Sequence, residues 1–317
     1  MNKPNVKITR ASCSQRSAAA FFEYVKYLLD RKYNVIVTND NPDIVICSNL
    51  STPKGQIDTV TGQECKVSSD YVGHKRIFVS GEVVNDFSVF IKEPLNYAIG
   101  WPSSVINDKI LPCQFHSVVQ GWWLQAVCNL IPEGWMLDKK DYEVIKQKKK
   151  YFCAIVQNSK VEYRRKMFDK LHAYKFVRAV GAFETNVEGF VRGRDEKEGY
   201  GNKHKFMDEC LFSLQIQTHL LNYFSQEKMI QAFAANTIPI FWGNHKILED
   251  GWNPEAFINC HDFNDDIDAV VEHIKRINED EKLLKQKLEQ PIFTNNRLPD
   301  DYKEDYVFSF LEKVIND

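Results

Sequence analysis

The stretch 222–263 holds the densest set of residues able to do chemistry. It reads NYFSQEKMIQAFAANTIPIFWGNHKILEDGWNPEAFINCHDF. Glu227-Lys228 opens an apolar, helix-like run, and Ser225 stands where a cap would stand. Free backbone N–H groups and the helix dipole favour an anion at such a start. A lysine in the first turn opposes the dipole, so it fits better where it faces a phosphate. The carboxylate beside it can accept hydrogen bonds from the hydroxyls of a ribose or a sugar. An ordinary surface Glu–Lys pair has the same two residues, so the pair alone decides nothing.

Other candidates are weaker. Gln120-Gly121-Trp122-Trp123 suits a platform for stacking sugars, and equally suits packing between elements. His116 and His261 either line a ligand cleft or serve structure. The charged run 138–150 (DKKDYEVIKQKKK) reads as a solvated linker or helix face rather than a phosphate site. The 8 cysteines, at 13, 47, 65, 113, 128, 153, 210 and 260, form no C-x-x-C and no zinc-finger spacing. There is no H-E-x-x-H. Asp265-Asp266 and Asp300-Asp301 read as loop or helix-start acids. No protein-built metal site and no resident cofactor are therefore expected.

Composition narrows the partners. A net charge of −2 lacks the basic excess of a nucleic-acid coat. No apolar run approaches the ~20 residues of a membrane helix. Met1 to Arg10 has no apolar core of a secretory signal. Scattered cysteines fit small buried hydrophobes in a reducing compartment. The expected location is cytoplasmic, or peripheral to a membrane.

Elements able to position these residues alternate along the chain. Short apolar strands are expected at 6–9, 34–38, 43–48, 76–80 and 97–100, with a helix over 17–29. The pattern restarts with strands at 151–156, 176–180, 212–216, 237–242 and 257–259. Helices are expected at 161–172, 227–235 and 267–277, and a last one over about 302–315. Near-continuous apolar strands alternating with helices indicate parallel sheets covered on both faces. The 317 residues, 44% apolar, suffice for two domains. The charged run sets the expected boundary: 1–148, then 149–295, then a terminal helix in 296–317. In such folds ligands bind at the carboxyl ends of the strands.

The order E-K-x-x-x-A, T-I-P-I-x-W-G, N-P-x-x-F-x-N-x-H-D-F resembles the α1,3/4-fucosyltransferases of glycosyltransferase family 10. It is carried by Glu227, Lys228, Ala232, Pro239, Gly243, Asn253, Pro254, Phe257 and Asp262-Phe263. Upstream, Ser80-Gly81-Glu82 with Tyr97-Ala98-Ile99-Gly100 is similar to the family's T-G-E…D-Y-A-I-G. Arg164 is similar to the arginine opening its R-x-x-x-x-x-x-L helix, and the spacing to Phe168 and Leu171 favours it over Arg165. The resemblance spans roughly 76–315.

The resemblance implies an α/β GT-B fold, two Rossmann-like domains facing across a cleft. It implies an inverting, metal-independent transfer of L-fucose from GDP-fucose to a glycan hydroxyl, O3 of GlcNAc being the expected position. Such a transfer needs a base for the acceptor hydroxyl. Glu82, at the end of the strand RIFVS, takes that role. Charge gathering on the leaving diphosphate needs cations, here Arg164 and Lys228, while Glu227 would hold ribose or fucose hydroxyls. Gln217, Thr218 and Phe224 complete the expected donor site. They stand where the family has Glu, Asn and Tyr, and Trp101-Pro102-Ser103-Ser104 replaces its acidic residues after YAIG. These exchanges leave two alternatives: a transferase using another GDP-linked sugar, or a non-catalytic glycan- or nucleotide-binding protein.

Overall fold

The computed structural model describes residues 3–11, 16–48, 66–79, 90–100, 108–190, 196–218, 220 and 227–317. They form two compact units, 1–119 with 300–317, and 120–299.

In the first unit, β1 (Asn5–Ala11), β2 (Asn34–Val37), β3 (Ile44–Ser48), β4 (Lys75–Val79), β5 (Asn96–Gly100) and β6 (Ile110–Pro112) lie in the order β2-β1-β3-β4-β5-β6. Every described pairing is parallel, with Ile8 opposite both Val37 and Ile44. Ile44, Val45, Ile46 and Cys47 are all fully buried, which is why β3 reads as an unbroken apolar run. Helix α1 (Arg16–Asp30) covers the sheet with Phe21, Phe22, Val25, Leu28 and Leu29.

In the second unit, β7 (Tyr151–Val156), β8 (Val177–Val180), β9 (Cys210–Ile216), β10 (Ile238–Trp242) and β11 (Ile258–Asn259) lie in the order β11-β10-β9-β7-β8, again parallel. Helices α4 (Glu162–Tyr174) and α7 (Ile267–Glu279) share its core. Met167, Phe168 and Leu171 meet Val270, Ile274 and the inward residues of β7 and β9 there. Two wholly parallel sheets, one in each unit, are the expected α/β architecture.

The division falls elsewhere than the charged run suggests. It lies between Val119 and Gln120, inside α2 (Phe115–Trp122). Of the two readings of the charged run, linker or helix face, the helix holds: residues 142–148 form α3, capped by Asp141, whose carboxylate accepts from Glu143 N at 2.9 Å. Its two core contacts, Tyr142 and Ile145, are hidden among the nine charged residues of 138–150 but sit in the core of the second unit.

The terminal helix α9 (Glu304–Asn316) belongs with the first unit. It is tied to α1 by Tyr27 to Glu304 (2.9 Å) and Arg31 to Asp305 (2.6 Å). Helices α5 (Glu196–Asp208) and α8 (Glu281–Leu288), and strand β6, were not expected from the pattern. After α2 the chain widens into a π-helical turn over Trp123–Val127.

Candidate functional site

The site is built around the carboxyl end of β9 in the second unit. Helices α4 and α6 (Lys228–Ala234) both pack against this strand. Arg164 stands in the first turn of α4 and is 1% exposed. Its Nη2 donates to the Ile216 carbonyl at 2.5 Å, so the guanidinium lies at the strand's last residue. Nη1 donates to the Ser159 carbonyl, Nε has no partner, and the plane approaches the Phe183 ring at 5.8 Å. Among the described residues no carboxylate pairs with it. Burial lowers its pKa from 12.5 to about 10, which keeps it cationic at neutral pH.

Arg165 behaves oppositely. It is exposed and paired with Glu184 at 3.0 Å and Asp169 at 3.3 Å. Of the two adjacent arginines, only Arg164 offers an uncompensated buried charge.

Glu227 and Lys228 enter α6 with their side chains mostly enclosed, 17% and 18% exposed, and 3.8 Å apart. The Glu227 carboxylate makes no capping bond to the helix it precedes. Sequence reading missed a third cation here. Lys203, from α5, donates to Gln231 Oε1 on α6, and Gln231 Nε2 donates to Gln120 Oε1 at 2.8 Å. Nothing in the charged run EKEGYGNKHKFMD marks Lys203 out, because its partner lies 28 residues away.

Gln217 follows β9 and is buried, but it does not offer its oxygen outward. Oε1 accepts from Asn244 N at 3.0 Å, and Gln217 N donates to the Trp242 carbonyl at 2.8 Å. A Cβ at Gly243 would stand 2.0 Å from Oε1, so only glycine admits this turn-to-turn contact. Gln217 Oε1 thus helps close the β10 turn. Thr218, next in line, is partly exposed. Glu82 and Phe224 lie outside the described residues, as do Ser225 and Trp101 to Ser104.

The other candidates are placed as structure. His261 has Nδ1 2.7 Å from Asp265 Oδ1 and Nε2 3.1 Å from the Gly243 carbonyl oxygen, so both ring nitrogens are engaged. Trp123 is buried and meets Trp122 edge-on, with ring centroids 6.1 Å apart. Among the described residues no cluster of three His, Cys, Asp or Glu could hold a metal ion. No described helix is long and apolar enough to cross a membrane.

The C-terminal profile of glycosyltransferase family 10 (fucosyltransferase) matches residues 145–289, which include Arg164, Lys203, Gln217, Glu227 and Lys228. The α-(1,3)-fucosyltransferase FucT of Helicobacter pylori is 24% identical over 275 residues, 78% of this chain and 52% of that protein. The chain thus spans about half the length of that relative. A crystal structure of an α1,3-fucosyltransferase with GDP covers 99% of this chain, and 91% of its own length is matched, at TM-score 0.71 and 19% identity. One with GDP-fucose covers 100% and 92%, at TM-score 0.65 and 18% identity. The chain thus resembles the C-terminal domain of glycosyltransferase family 10 (fucosyltransferase) over residues 145–289 and shares the fold of solved α1,3-fucosyltransferases over its length.

Proposed function

We propose that the protein transfers L-fucose from GDP-fucose, with inversion, to O3 of GlcNAc in a glycan acceptor. The observation that carries this is Arg164: a buried guanidinium at the carboxyl end of β9, without a carboxylate partner among the described residues. A buried cation in that state is costly unless an anion completes it. A diphosphate does so with two or more oxygens in reach of the planar fork. Solved α1,3-fucosyltransferases with GDP and with GDP-fucose share the fold and support the choice of nucleotide.

In this reading Arg164 and Lys228 hold the diphosphate and take the charge that builds on it as the bond to the sugar breaks. Glu227 accepts from ribose or fucose hydroxyls. Glu82 removes the proton of the acceptor hydroxyl as that oxygen attacks the anomeric carbon from the opposite side. The residues supply the cations themselves, so the transfer proceeds without a metal. Thr218 and Phe224 border the donor, and Gln217 holds the turn beneath it. The enzyme works in the cytoplasm on GDP-sugar and glycan, with no nucleic-acid partner.

A second donor remains in view because Gln217 and Thr218 replace a carboxylate and an amide, and the Gln217 oxygen is spent on Asn244. The test is a donor series with N-acetyllactosamine as acceptor and linkage determined on the product. Fucose on O3 of GlcNAc is the expected result. A preference of about tenfold for another GDP-sugar, ~1.4 kcal/mol of transition-state discrimination, overturns the fucose assignment. Binding of GDP with no transfer from any donor overturns the enzyme.

A further inference from the structure

We propose that Lys203 is a positioning residue of the donor site, acting through Glu227. This rests on the placing of Glu227 in that site. The Lys203 ammonium bonds the Gln231 side chain, four residues beyond Glu227 in sequence. Gln231 N donates to the Glu227 carbonyl at 3.0 Å, so the two side chains share one face of the chain entering α6. Gln231 is 3% exposed and Gln120 1%. Their mutual hydrogen bond fixes which way the Gln231 amide points: its N–H toward Gln120, its oxygen toward Lys203. Lys203 is therefore held one turn below Glu227 rather than waving on a surface.

The chemistry explains why a cation belongs there. Glu227 is an enclosed carboxylate beside the expected diphosphate, which it would repel. Lys228 offsets part of that charge from 3.8 Å. Lys203, held at Gln231 one turn on, supplies a second positive charge, in a setting where burial strengthens charge–charge attraction. Burial lowers the Lys203 pKa to about 8, with Glu227 pulling it up and Lys228 pushing it down, as expected for three charges within each other's field. Lys203 keeps Glu227 ionised and aimed at the hydroxyls.

The test is a double-mutant cycle read by calorimetry with GDP-fucose, without acceptor. The variants are K203Q, E227Q, their combination, K203R and R164M, with K203M as a second uncharged variant should K203Q fold poorly. K203Q should weaken binding about tenfold, the scale of one coupled buried charge. In the E227Q background the same change should cost less than about twofold, because its target is gone. K203R should bind within about threefold of wild type. A purely structural lysine would cost the same in both backgrounds, and that additive result overturns the proposal. So does an unaffected K203Q, while losses in R164M and E227Q leave the donor site standing. If R164M and E227Q both bind as wild type, the donor site itself is misplaced and this inference falls with it.

Discussion

Replacing Arg164 with methionine separates a binding role from a folding role. Methionine is unbranched and fills much of the arginine stem's volume. The variant loses two bonds to main-chain carbonyls, those of Ser159 and Ile216. It also removes a buried cation with an unpartnered Nε and no carboxylate partner among the described residues. Losing bonds to a charged donor costs about 1.5–3 kcal/mol each, and relieving a buried charge of its desolvation returns several. The two nearly offset, so unfolding in urea should change by less than about 2 kcal/mol. GDP binding has no such offset. It should weaken by ~1.5–3 kcal/mol, about 10- to 150-fold in Kd by calorimetry. R164K, which keeps the charge but not the fork, should fall between. A variant with wild-type GDP affinity, or one that unfolds with affinity intact in its folded fraction, would refute the assignment.

Four further outcomes are expected. Glu82→Gln should leave GDP affinity within about twofold and lower turnover about 10²–10⁴-fold; normal turnover at saturating donor removes Glu82 from the mechanism. Gly243→Ala forces a Cβ to within 2.0 Å of Gln217 Oε1, and should destabilise by about 1–3 kcal/mol in urea; wild-type stability would mean the turn has room. Asp301 is partly buried and accepts from Gln114 N at 3.1 Å, and desolvation raises its pKa from 3.8 to about 6. The folded value lies above the unfolded one, so its contribution is full below about pH 4 and lost as pH rises through about 6. Asp301→Asn should therefore gain on wild type by roughly 2 kcal/mol between pH 4.5 and 7.5, and a difference that stays flat across that range contradicts the burial argument. Finally, Lys203 and Glu227 should be non-additive in donor binding, as the cycle above measures.

The parts of the fold legible in sequence are those whose burial is periodic. β3, β7 and β10 are enclosed on both faces, so each reads as a continuous apolar run. α4 buries Arg164, Met167, Phe168 and Leu171, positions i, i+3, i+4 and i+7, and that face distinguishes Arg164 from Arg165 before any coordinates exist. Where burial rests on two side chains among charges the signal is weak: α3 sinks only Tyr142 and Ile145, so the run reads equally as a linker or a helix face.

Direction is harder to read than position. An ungapped alignment puts Gln217 at the end of β9, yet whether its amide faces a ligand or a neighbouring turn depends on the backbone of another strand. Gly243 is the clue that was available. A glycine closing T-I-P-I-F-W-G means something approaches the main chain there, and the approaching group is the Gln217 oxygen. Two cations of the site, Arg164 and Lys203, make the same contrast. Arg164 is announced by the helix that buries it. Lys203, half-buried, is held by a hydrogen-bond chain from α5 through α6 to α2, assembled from residues 203, 231 and 120. A local pattern exposes the first. Only the tertiary packing of three helices exposes the second, and that is where residues tuning a known site are to be sought.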